Sequence, residues 1–253
     1  MKYWPIIIAL ILSWALLGMS GEVSGIVNGF PNLIDYLKGS WPPDFSIVPS
    51  LKEPLIETIQ MGLLGISFGS ILAIPLSFLS AKETSPNKIT YLVSKIIINV
   101  CRSIPTLLWA ILFVTMVGLG PMAGIFALTT HCIGSLGKYF SEGIETIYPR
   151  IKEILEAMQV DGANKNQAIL YGLLPAVAPL FASYIIYYLE WSIRVGTILG
   201  LVGAGGLGLE LTMSIRMFRR QETAAIVLTI LFMVMVIDGV SRIARKNLTE
   251  STV

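Results

Sequence analysis

Histidine occurs once in this 253-residue chain, cysteine twice, and charged side chains make up only 13% of it. Each scarcity removes a class of chemistry. The lone His131, with no H-E-x-x-H and no G-x-S-x-G pattern anywhere, leaves metal-assisted or triad catalysis without its residues. Cys101 and Cys132 fall in or beside apolar runs, and neither has a partner at metal-ligand spacing or a place in a disulfide framework. The phosphate loop G-x-x-x-x-G-K-[ST] is missing as well: around Gly137-Lys138 its first glycine position holds Cys132 and its Ser/Thr position Tyr139. The chain therefore has no site for ATP by that route, and nothing in it implies a cofactor, a metal or a nucleic-acid partner. Internal repeats and low-complexity segments are also absent.

What is present is grease. Hydrophobic residues make up 54% of the chain, whereas soluble domains carry about 25% charged residues, roughly twice the share here. Lipid, not water, is the main solvent. A crossing needs roughly 20 apolar residues, and windows of that kind lie near 4–20, 56–80, 96–118, 121–140, 173–199 and 223–241. About six crossings make an all-α integral membrane protein. An open sheet would leave backbone groups unpaired in lipid, and the apolar runs lack the period-two alternation of a membrane barrel.

The first run, YWPIIIALILSWALLG after Lys2, reads as a signal peptide or a first anchor. Its exit, GMSGEVSG, offers no good A-x-A cleavage pattern, which favours the anchor. NGFPNLIDYLKGSW then predicts a short amphipathic interfacial helix with Phe30, Leu33, Ile34 and Leu37 toward lipid, as a brace or a partner contact. Residues 1–54 thus form the first helix and an outer segment, 55–245 a core, and 246–253 a tail. With the N-terminus inside, Lys38, Lys52, Arg216, Arg219 and Arg220 fall outside and Arg194 lies within a crossing, while the other positive charges fall at the cytoplasmic side. Both termini are then cytoplasmic.

The same orientation puts EAMQVDGANKNQAILYGLLP in the cytoplasm. Pro149 suits the first turn of a helix, Gly162 a left-handed stop, and Asn164 with Gln167 a capping box on the next helix. Two short helices joined at Gly162 would make a rigid handle for a partner; an ordinary inter-helix loop is the alternative.

This stretch resembles the coupling motif of type I ABC-transporter permeases at Glu156, Ala157, Gly162, Ile169, Leu174 and Pro175, with Met158 in place of the usual second alanine. RSIPTLLWAILF, GLGPMAG and HCIGSLGK resemble the phosphonate and phosphite branch, and GLVGAGGLGLEL is similar to a glycine-rich stretch shared more widely. The resemblance covers about residues 55–245. It implies an inner-membrane permease, expected as a homodimer, working with two cytoplasmic ATPase subunits that use ATP and Mg, and with a substrate-binding protein. It places coupling near 149–171, on Glu156, Ala157, Met158, Asp161, Gly162, Asn164 and Lys165; polar, cationic and glycine positions that could meet an anion, Arg102, Ser103, His131, Gly203, Gly205, Gly206 and Arg216, make the candidate substrate pathway. A permease for another solute and an ion-coupled secondary transporter are the alternatives.

Several residues admit two readings. His131 suits an anion path or a hydrogen bond between helices. Glu190 and Arg194 are spaced to pair on one face, as are Asp238 and Arg242. Gly62, Gly65 and Gly69 suit tight packing, and Pro75 and Pro105, within apolar helices, either packing or gating hinges. If SIRMFRR is helical, Arg216 and Arg219 or Arg220 share a side and form a cationic vestibule beside a glycine-lined anion cradle; otherwise these arginines meet headgroups, Glu210, Glu222 or a partner.

Overall fold

The computed structural model describes residues 8, 13, 14 and 20–250. The expected crossing at 4–20, with Lys2 and Trp4, lies largely outside the described residues. Within them the chain is helical, with no strand. We name α1 (Ser20–Gly39), a 3-10 turn (Phe45–Leu51), α2 (Lys52–Ser80), α3 (Lys88–Ser103), α4 (Thr106–Val117), α5 (Pro121–Val160) and α6 (Lys165–Ala168). A π turn (Ile169–Leu173), α7 (Leu174–Leu199), a second 3-10 turn (Gly200–Val202), α8 (Gly206–Arg216) and α9 (Arg220–Glu250) follow. Three rods are long and apolar enough to cross a membrane, Phe45–Ser80, Lys165–Val202 and Arg220–Arg245, and the bent pair α3–α4 makes a fourth.

α2 is the centre of the packing. Its bare positions let two neighbours touch its backbone: a Cβ on Gly62 would strike Ile193 of α7, one on Gly69 would strike Cys132 of α5, and one on Gly65 would lie 2.6 Å from Leu128 Cβ. Around these contacts Met61 and Leu128 are buried, and farther along Leu136, Phe140, Ile144, Leu173, Val177 and Phe181 form the largest cluster, with the Phe140 and Phe181 rings stacked at 4.0 Å.

Several expectations need correction. The crossing drawn over 96–118 is two helices meeting at 91°. Ile104 is extended, as a residue before proline prefers, and Pro105 caps α4 instead of lying inside a helix. Pro149 does not begin a helix: α5 runs unbroken from Pro121 to Val160, so the fourth crossing and the first knuckle helix are one rod. The fifth crossing starts before Pro175, because α6, the π turn and α7 are continuous over Lys165–Val202. The outer helix is longer than drawn and carries Pro31 inside it, with Phe30, Leu33, Ile34 and Leu37 exposed. SIRMFRR is not one helix: α8 ends at Arg216 and Phe218 has φ +55° before α9 begins. Asp238 turns away from Arg242 to Arg194 of α7, at 3.1 Å.

At the end away from the knuckle, the glycine-rich turn is clipped to α2. Gly206 N donates to Glu57 Oε2 at 2.6 Å and Leu207 N to Thr58 Oγ1 at 2.9 Å, while Gly120 N donates to Gly203 O at 2.9 Å. These side chains satisfy amides that a helix start leaves open. α8 then packs across the end of α7, where a Cβ on Gly208 would collide with the backbone carbonyl of Thr197. We expect Gly208→Ala to destabilise the protein by about 1–3 kcal/mol through overpacking. Gly29→Ala, in α1 with open space around it, should be neutral or stabilising by up to about 1 kcal/mol. Thermal unfolding of the two variants in detergent gives the comparison; equal midpoints would show that the α7–α8 contact does not resist a methyl group.

Candidate functional site

Two regions concentrate the groups that the sequence singles out. The first is the knuckle. α5 stops at Val160, and the turn runs through Asp161 and Gly162, whose φ of +99° is the left-handed region that glycine tolerates. Nothing lies within 4 Å of a Cβ built there, so the requirement for glycine is conformational. Asn164 and Gln167 form a reciprocal capping box, each amide donating to the other's side-chain oxygen at 2.9 Å. On the flank, Lys152 reaches Glu156 at 3.6 Å, both exposed, a pair worth little on its own.

The two arms close on each other through Gly172. A Cβ there would come 2.5 Å from Leu155 Cδ2 and 3.1 Å from Met158 Sδ. Met158 therefore packs into its own knuckle, where a flexible side chain substitutes readily for a smaller one. Glu156, Ala157, Asp161, Gly162, Asn164 and Lys165 are all exposed. Ile154, Val160, Leu170 and Tyr171 are exposed apolar neighbours, Val160 at 87%. This is a rigid, capped turn with a mixed apolar and charged surface.

The second region is the elbow between α3 and α4. Gly134 of α5 admits the end of α3 so closely that a Cβ would lie 2.5 Å from Arg102 N. Trp109 Nε1 donates back across the bend to Cys101 O at 3.2 Å, satisfying a carbonyl that the broken helix frees. Arg102 and Ser103 are exposed beside this bend. The His131 ring stacks on Trp191 at 4.5 Å; its Nε2 lies 3.1 Å from Ser135 Oγ, and its Nδ1 is buried without a partner. His131 sits ten residues into α5, about 15 Å along the helix from Pro121. Tyr188 continues the aromatic surface against Trp191, and Tyr139 against Tyr184 and Tyr188.

The structure thus sets the end of α3, with Arg102 and Ser103, against Gly134, three residues along α5 from His131, and leaves the rest of the pathway set elsewhere. Gly203, Gly205 and Gly206 have φ of +89°, +81° and +68°, yet the Gly206 amide that would face a ligand already serves Glu57. Arg216 closes α8, exposed, about 15 Å beyond Gly206. Its expected companions face other groups: Arg219 pairs with Glu222 at 3.3 Å, and Arg220 lies over the Tyr36 ring at 5.3 Å. Sequence reasoning missed Glu57 and Ser135, and gave Trp109 only an interfacial or packing role. Glu57 carries no local signal, because its partner is 149 residues away; Pro105 marked the Trp109 bend, and the i,i+4 spacing of His131 and Ser135 was available. Among the described residues no cluster of His, Cys, Asp and Glu could hold a metal.

Comparison with known proteins gives this arrangement a family. Residues 73–252 match the family described as binding-protein-dependent transport system inner membrane component. The phosphite transport system permease protein PtxC of Stutzerimonas stutzeri is 37% identical over 226 residues, which is 89% of this chain and 81% of that one. The phosphate-import permease protein PhnE of Mycolicibacterium smegmatis is 32% identical over 213 residues, 83% of this chain but 39% of that longer one. Among solved structures, an inward-facing MetNI methionine ABC transporter chain superposes with a TM-score of 0.68 at 21% identity, over 81% of this chain and 99% of that one, a likeness of fold alone. The chain belongs to the binding-protein-dependent transport system inner membrane components, and it is a permease subunit of an ABC importer, a transport protein and not an enzyme.

Proposed function

We propose that this chain forms the membrane passage of an ATP-driven importer of small phosphorus oxyanions, phosphite or a phosphonate. The observation that carries the reading is the capped, exposed knuckle at Gly162, a shape suited to seating in another protein. Glu156, Ala157, Met158, Asp161, Asn164 and Lys165 dock it on a cytoplasmic ATPase subunit, which supplies the ATP and Mg chemistry. The excess of positive charge at the knuckle side orients it inward with both termini. The relatives named for phosphite and phosphate supply the substrate class. Arg102, Ser103 and His131 supply groups suited to an oxyanion at the elbow, and guanidinium favours such oxygens through bidentate hydrogen bonds. One chain presents one wall of such a passage, and a second copy across a two-fold axis supplies the other. Arg216 and the Gly203–Gly206 turn stand toward the binding protein.

Reconstituted with its ATPase and binding protein, the complex should take up radiolabelled phosphite or methylphosphonate only when ATP and binding protein are present. The permease by itself should hydrolyse no ATP; activity in a subunit-free preparation would contradict this assignment. Gly162→Val forces a β-branched residue into the left-handed region, at a cost of about 1–2 kcal/mol. We expect it to lower ATPase co-purification several-fold without changing membrane insertion. Normal co-purification and normal stimulated hydrolysis would separate the turn from coupling.

A further inference from the structure

Arg194 lies inside the span Lys165–Val202, and its side chain is 47% exposed. An ionised side chain at such a position must be covered by protein, paired, or wetted by a polar passage. Pairing accounts for only part of it. Nη2 donates to Glu190 Oε1 at 2.9 Å and to Asp238 Oδ1 and Oδ2 at 3.1 and 3.3 Å. Every hydrogen bond of Arg194 thus converges on one nitrogen, and Nη1 and Nε take no partner among the described residues. Glu190 is fixed from its other side by Arg245 Nη2, 3.2 Å from Oε2. The two carboxylates therefore grip one corner of the guanidinium, on a side chain that is half-exposed.

The same face of α7 carries the aromatic stack of the elbow. Tyr187, Trp191, Arg194 and Ile198 follow one another at three- and four-residue steps and so share a face of α7. Tyr187 and Ile198 are each 48% exposed, and Trp191 carries the stacked His131 ring. Arg194 is one turn from Trp191 and so from that stack.

We propose that Arg194 is an anion-binding residue of the passage, with Glu190 and Asp238 holding it by Nη2 so that Nη1 and Nε receive the oxygens of a phosphorus oxyanion. This rests on the oxyanion reading above. A simple clasp between α7 and α9 explains the Nη2 contacts and gives no reason for half-exposed, unfilled donors within a span. The flanking carboxylates offset the positive charge, so the anion is held weakly enough to leave, as conduction requires.

The test uses the complete importer in liposomes. Arg194→Gln should lower phosphite and methylphosphonate uptake per assembled complex about tenfold, and Arg194→Lys about threefold, since the lysine keeps the charge and loses the planar donors. Binding-protein-stimulated ATP hydrolysis counts the assembled complexes. Wild-type uptake by the Gln variant overturns the role of Arg194 alone; failure of the wild type to move either anion overturns the substrate reading and this proposal with it. A second measurement leaves the ion pairs intact. Tyr187→Cys in a Cys101→Ser background should react with a charged, membrane-impermeant thiosulfonate in the assembled complex, and phosphite should slow the reaction several-fold. An unreactive Cys at 187 would place this face in lipid and overturn the proposal, including where Arg194→Gln fails to assemble.

Discussion

Helices in lipid gain nothing from hiding apolar surface from one another, because the tails around them are as apolar as they are. Close contact has to come from shape, and here it comes from α2. Gly62 and Gly69 remove the side chains that would hold α7 and α5 away, with Gly65 between them against Leu128. Because α5 lies this close, its own Gly134 can receive the end of α3, and the elbow has somewhere to fold. Because α7 lies this close, Ile193 packs in one cluster with Leu207 of α8 and Ile226 of α9. Enlarging Gly65 or Gly69 would therefore displace the elbow as well as the core, and enlarging Gly62 the α7 side.

The hydroxyl groups play a smaller part than their number suggests. Ser67, Ser77, Thr130, Thr229 and Ser183 each donate to a carbonyl three or four residues back on their own helix. Such groups are satisfied without choosing a neighbour. Contacts between elements are made by a few others: Ser214 with Thr223 at 2.5 Å, Cys132 with Ser192 at 3.6 Å, and Glu57 and Thr58 with the start of α8. Local pairing of hydroxyls leaves the ionised groups, above all the Glu190–Arg194–Asp238–Arg245 chain, to mark where the membrane-embedded surface departs from plain lipid contact.

The helical class, the left-handed Gly162 and the Asn164–Gln167 box were legible because each depends on residues within one turn of one another. The i,i+4 spacing gave Glu190–Arg194 for the same reason. Asp238 was assigned to Arg242 by that rule and went to Arg194, 44 residues away, because a carboxylate between two helices takes the cation that the packing presents. The glycine cradle was misjudged in the same way. Positive φ angles were readable from the glycines, but the carboxylate that occupies the Gly206 amide comes from α2.

Pro105 and Pro149 make the distinction sharpest. Each restricts the residue before it and lacks a backbone donor, yet sequence reasoning put Pro149 at a helix start and Pro105 inside a helix, the reverse of what the structure shows. At Pro105 the break is supported from three sides: Ile104 relaxes to ψ 124°, Gly134 accommodates the end of α3, and the Trp109 indole takes the Cys101 carbonyl. At Pro149 the helix continues, in a stretch where Thr146, Arg150 and Lys152 approach the exposed knuckle. Away from lipid, a carbonyl that proline deprives of its donor can be met by water, so continuity costs little there, whereas in hydrocarbon the freed groups must find protein. Proline weakens both helices at one point, and the surroundings that can or cannot satisfy the freed backbone decide that one bends by 91° while the other runs on into the coupling turn.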